Sequence, residues 1–185
     1  DIETRNSFQE VGKGDPVFLD ISVVCICESE TNKYTSYLQE DLHKLWPILE
    51  KADSIVTFNG DHFDLPILNK YYPGDLMKLK SLDLLKEVRK SLGHRVGLGS
   101  IAQATLGVGK GGHGLEAIEW WKKGEVDKII KYCLEDVRIT KEVHDYAMRT
   151  GTLKFKDGDV DTEFKIDTSE WEKKEEVKMT FSLPF

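Results

Sequence analysis

Ser54-Ile55-Val56-Thr57-Phe58-Asn59-Gly60-Asp61-His62-Phe63-Asp64 is the stretch on which the reading of this chain turns. A short apolar run with β-branched residues predicts a strand that stops at Asn59-Gly60, a turn pair. Phe63-Asp64 then opens a helix expected over Leu65 to Tyr72, ended near Pro73-Gly74. A strand–turn–helix of this kind puts an acidic side chain at the carboxyl end of a strand, where sites gather in open α/β sheets. The plainer alternative is that Asp64 caps its helix, and the stretch alone leaves both open.

Two further acidic motifs flank it. Asp1-Ile2-Glu3 opens the sequence, and residues two apart on an extended segment point to the same side. Tyr132-Cys133-Leu134-Glu135-Asp136 lies in a long helical pattern from about Val126 to Thr150, with Gly151 a natural stop. Tyr132 and Asp136 are one turn apart and share a face, whereas Glu135 is about 100° away from Asp136 around the helix. Any one of these motifs has an ordinary explanation as a solvated terminus, a cap or a surface pair. Four carboxylates in this order and on these element types suit hard divalent cations, which prefer carboxylate oxygen.

Between the motifs, Ile21 to Cys27 is a continuous apolar run, hence a buried strand, and Tyr34 to Leu38 is expected to pair with it through a turn near Thr31-Asn32-Lys33. Leu42, Leu45, Trp46 and Leu49 recur at helical spacing, so a helix is expected over Asp41 to Ala52 with Asp41 at its N-cap. Leu79 to Leu82 reads as a strand with Asp83 capping a helix from Leu84 to Leu92; Asp83 is a rival metal ligand, but the cap explains it. Helices are expected over Leu98 to Leu106 and Leu115 to Lys123, separated by a glycine-rich loop, Gly107 to Gly114. That loop lacks the Gly-Lys-Ser/Thr ending of a phosphate-cradling P-loop. Trp120 and Trp121 are read as core rather than as base-stacking residues. Residues 152–185 read as short strands (Leu153 to Phe155, Phe164 to Ile166, Val177 to Phe181), too few for a core of their own. The expected organisation is one α/β domain over residues 1–151, with a mixed sheet, and a β-rich extension over 152–185 packed on it.

Composition narrows the function classes. No run of 18 or more apolar residues exists, so no membrane-spanning helix is expected. Cys25, Cys27 and Cys133 are odd in number and set in mostly apolar surroundings, which reads as reduced thiols in a cytoplasmic protein, without the second pair that zinc needs. The net charge of −7 argues at first against nucleic acid. The charge is uneven, however: Lys78, Lys80, Lys86, Arg89, Lys90, His94 and Arg95 form a basic stretch, and bound cations would cancel site carboxylates.

Taken together, the motifs Asp1-Ile2-Glu3-Thr4, Asn59 to Asp64 and Tyr132-x-x-x-Asp136 make residues 1–150 resemble the DEDD superfamily of 3′–5′ exonucleases with a ribonuclease H-like fold. Lys131 stands where the histidine branch has its histidine, so the chain looks like the tyrosine (DEDDy) branch, and its length looks like the small stand-alone members. Leu98-x-x-Ile101-Ala102 and Leu106-Gly107 add to the likeness. The resemblance implies a mixed five-stranded sheet flanked by helices. It implies that Asp1, Glu3, Asp64 and Asp136 hold two Mg²⁺ or Mn²⁺ ions, spaced about 3.5–4 Å in two-metal sites, and that Tyr132 orients an attacking water. It further implies that Thr4, Asn59 and Phe63 grip the 3′ end of single-stranded DNA or RNA, releasing nucleoside 5′-monophosphates. A catalytically silent nucleic-acid-binding module and an endonuclease on the same fold remain the alternatives.

Overall fold

A computed structural model describes residues 1–109 and 114–173. In chain order the strands are β1 (Ile2–Thr4), β2 (Ile21–Glu28), β3 (Lys33–Leu38), β4 (Ile55–Thr57), β5 (Ser81–Asp83), β6 (Thr152–Asp157) and β7 (Val160–Lys165). The α-helices are α1 (Phe8–Val11), α2 (Trp46–Lys51), α3 (Asp64–Asn69), α4 (Leu84–Leu92), α5 (Leu98–Leu106), α6 (Gly114–Lys122) and α7 (Val126–Thr150).

The mixed α/β class stands, but the strands do not form one five-stranded sheet. Among the described residues β1, β2 and β3 make an antiparallel sheet in that order, β4 and β5 a separate parallel pair, and β6 and β7 a hairpin. The physical reason is visible at β1. It is three residues long, and Asp1 and Cys25 exchange backbone hydrogen bonds across the β1–β2 ladder (2.9 and 3.1 Å). Ile2 therefore turns its N–H to the opposite edge. There the Asp64 carboxylate accepts it at 3.1 Å, so a side chain fills the place of a neighbouring strand's carbonyl.

The expected β2–β3 hairpin forms, with Asn32 in the left-handed region (φ 51°) at its turn. The helix expected over Asp41 to Ala52 is broken instead into a 3₁₀ segment, Gln39–Lys44, and α2. Pro47, which lacks an N–H and sits in the first turn of α2, forbids a continuous helix. Asp41 is paired with Lys44 rather than acting as a cap.

Helix α7 runs 25 residues and organises the core. Its stripe Ile129, Cys133, Val137, at i, i+4, i+8, packs on Val23 and Cys25 of β2. Farther along, Ile139, Val143 and Ala147 meet Ile101 and Ala102 of α5 and Leu153 of β6. Gly151 (φ 67°) ends α7 in the left-handed cap that glycine adopts without strain. The β6–β7 hairpin then packs back on α5: the Thr105 hydroxyl donates to the Lys154 carbonyl and accepts the Lys154 N–H, both at 2.9 Å. The strand expected over Val177 to Phe181 lies outside the described residues, as does part of the glycine-rich loop. Among the described residues no helix is long and apolar enough to cross a membrane.

Candidate active site

Asp1, Glu3 and Asp136 come together. One carboxylate oxygen of each lies within 4.8 Å of the other two. The β1 strand sends Asp1 and Glu3 to one side, as the two-residue period requires, and α7 crosses that side with Asp136. Glu3 and Asp136 are buried (8% and 3% exposed), and Asp1 is the more accessible. Three converging carboxylates of this kind are a mutually repulsive set when empty and a fitting oxygen donor set for Mg²⁺ or Mn²⁺. Cys133 closes the back of the cluster. Its thiol donates to Asp1 Oδ2 at 3.3 Å, and burial pushes that thiol well above the ordinary range, so the proton stays on sulfur.

Asp64 is not part of the three-carboxylate group. It is the first residue of α3 rather than its cap, which is Phe63, and it is buried at the edge of β1 through its bond from Ile2. Burial pushes its carboxyl up, and the nearby Asp83 charge acts in the same direction, while the Ile2 N–H opposes both.

Asp83 accounts for the shape of the second motif. Its buried carboxylate accepts from Asn59 N at 2.7 Å, from Asp61 N at 3.3 Å and, as the N-cap of α4, from Leu85 N at 3.0 Å. The β4–β5 pairing that sets Thr57 opposite Asp83 makes this reach possible. Asn59 holds a positive φ of 72°, which asparagine tolerates better than most residues. Gly60 is required by contact rather than by φ: a Cβ there would lie 2.4 Å from Thr57 Oγ1. Asp83 is thus committed to backbone N–H groups, as the cap reading expected, and braces the turn that leads to Asp64.

The remaining candidates fall as follows. Tyr132 is buried one turn before Asp136, its ring edge-on to Trp120 at 5.9 Å. Trp121 lies beneath the Arg5 guanidinium at 4.4 Å. The Thr4 hydroxyl donates to Asn6 O at 2.9 Å, so its proton is spent within its own loop. Asn59 Oδ1 accepts from Arg95 Nη2 at 3.0 Å. Phe63 is half-buried, with Phe8 edge-on at 6.3 Å. Glu135 forms two bonds to Arg138 (2.6 and 2.9 Å) and stays out of the cluster.

The residues that spacing did not single out are Cys133 and the bracing role of Asp83. Cys133 had one available signal: it follows Tyr132 directly and sits in the apolar stripe of α7 between Ile129 and Val137.

No curated protein matches the chain. A family model, RNase_H_2, described as RNase_H superfamily, matches residues 1–148, which span all three motifs and stop just short of the β6–β7 hairpin. The acidic cluster and that match agree, and this chain belongs to the RNase H superfamily.

Proposed function

We propose that this protein is a divalent-metal-dependent 3′–5′ exonuclease that hydrolyses single-stranded DNA or RNA to nucleoside 5′-monophosphates. The observation that carries this reading is the convergence of Asp1, Glu3 and Asp136 within 4.8 Å of one another, beside Asp64. Membership of the RNase H superfamily supports phosphodiester hydrolysis. The order of the motifs, with Tyr132 one turn before Asp136, supports the DEDDy exonuclease subtype.

Asp1, Glu3 and Asp136 would hold Mg²⁺ or Mn²⁺, with Asp64 the fourth carboxylate. Bound there, the ions supply Lewis acidity toward the phosphoryl oxygens and toward an attacking water. The chain's own contributions are positional. Cys133 fixes the Asp1 carboxylate through its S–H, and Asp83 fixes the turn that presents Asp64. Tyr132 orients the water by a hydrogen bond. Phe63 and Phe8 offer half-buried to exposed aromatic surface beside the site for the terminal base.

The test is digestion of 5′-labelled single-stranded DNA and RNA with Mg²⁺, Mn²⁺ or chelator, alongside Asp136→Ala. A metal-dependent ladder shortening from the 3′ end, absent in the variant, is expected. Tight binding without cleavage, or cuts within a circular substrate, would overturn the exonuclease assignment.

A further inference from the structure

Three of the cations in the basic stretch between residues 78 and 95 are paired with carboxylates. Lys78 pairs with Asp75, Lys86 with Asp61 and Lys90 with Glu87. Arg95 differs. It is exposed, and among the described residues no carboxylate lies within ion-pair distance of its guanidinium. Its contact is the neutral Asn59 Oδ1, 3.0 Å from Nη2. That bond uses one of five N–H donors and cancels no charge.

The backbone beneath Arg95 is anchored on both sides. His94 packs edge-on against Phe155 at 6.0 Å, and Val96 is buried in the core that holds α5 and α7. Asn59 is itself pinned through its N–H to Asp83 and begins the turn that ends at Asp64. Arg95 is therefore a full positive charge held at one end of the turn whose other end carries a site carboxylate. In a chain of net charge −7 an exposed cation beside the second motif offsets part of the repulsion that a polyanion meets on approaching the acidic cluster.

We propose that Arg95, oriented by Asn59, binds a backbone phosphate of the single-stranded nucleic acid as it enters the site. The proposal rests on the nuclease reading above. A planar guanidinium with free N–H pairs matches a phosphate's oxygens, and the role ascribed to Asn59 becomes that of holding Arg95 rather than touching substrate first. Arg95 is then a substrate-binding residue, with Asn59 positioning it, and neither alters the carboxylate cluster.

The experiment measures binding of short 5′-fluorescein-labelled oligo-dT and oligo-U to the wild-type chain, Arg95→Ala, Arg95→Lys and Arg149→Ala by anisotropy. Chelator is present to prevent cleavage, and salt runs from about 50 to 200 mM. Each phosphate contact on a single strand contributes about 0.7 to the slope of log K against log salt. Arg95→Ala is expected to lower the slope by about that amount and to weaken binding about tenfold at low salt. Arg95→Lys should keep the slope. Arg149 lies 13 residues beyond Asp136 on α7, about 20 Å along the helix. Arg149→Ala removes the same charge and should change neither quantity. A matching thermal melt of Arg95→Ala shows that the fold is intact. An unchanged slope in Arg95→Ala overturns this assignment while leaving the nuclease reading in place. A wild-type protein that neither binds nor cleaves the oligonucleotides overturns both.

Discussion

Asp83→Ala separates a brace from a metal ligand. The carboxylate is 4% exposed and accepts three backbone N–H groups, at 2.7, 3.0 and 3.3 Å. Loss of the α4 N-cap costs about 1 kcal/mol. The Asn59 N–H, half-buried and left without its charged acceptor, costs about 1.5–3 kcal/mol. The 3.3 Å bond from Asp61 is long and adds little. Removing a negative charge beside Asp64 returns a fraction of this. The net is a loss of about 3 kcal/mol, which for a chain of this size lowers Tm by roughly 6–12 °C. Asp83→Asn keeps one acceptor oxygen but turns an N–H₂ toward a backbone donor, so about half that loss is expected. The assay is thermal melting with and without Mn²⁺. Both variants should melt lower than wild type and still gain stability from Mn²⁺, because the carboxylates of Asp1, Glu3 and Asp136 are intact. A variant that melts with wild type but has lost its response to Mn²⁺ would refute this account and make Asp83 a ligand.

Gly60→Ala should destabilise by about 1–3 kcal/mol, since its Cβ meets the buried Thr57 side chain at 2.4 Å and one of them must move; chemical denaturation measures it, and a neutral result would mean the turn relaxes freely. Asp64 carries a pH signature in the metal-free protein. Its carboxyl is raised by burial, so the neutral form is favoured on folding, and stability falls as pH rises from the ordinary carboxylate range through the raised folded value. Melting of metal-free Asp64→Asn against wild type should show this dependence flattened, with the variant the more stable at neutral pH. Tyr132→Phe should keep the ring packing on Trp120 and the metal response while reducing turnover by about 10²-fold; single-turnover digestion checks it, and an unchanged rate would remove Tyr132 from the reaction.

Much of the fold and the three motifs could be read from residue order. Periodicity placed α7 over Val126–Thr150, and the glycine after it marked its end. Apolar continuity placed β2, and the cap at Asp83 was legible from the strand before it and the helix after it. Local propensity and side-chain period decide these features, and both are properties of a few neighbouring residues. The break at Pro47 was equally local and equally legible, but the helical spacing of Leu42, Leu45, Trp46 and Leu49 masked it.

What the sequence determined by itself is therefore the set of elements and the identity of the acidic residues. Only the tertiary structure decided how they meet. The placing of Asp64 beside the Asp1–Glu3–Asp136 group turns on a bond across 62 positions, and the hold of Cys133 on Asp1 spans 132. The neutral seat of Arg95 on Asn59 spans 36, and the brace from Asp83 to the second motif spans 24. Pairings at such separations carry no local pattern, because the partner is chosen by which edge of β1 is left open and where β4 and β5 end. The smaller sheets have the same origin: the outward N–H of Ile2 in the three-residue β1 bonds the Asp64 carboxylate in place of a neighbouring strand's carbonyl.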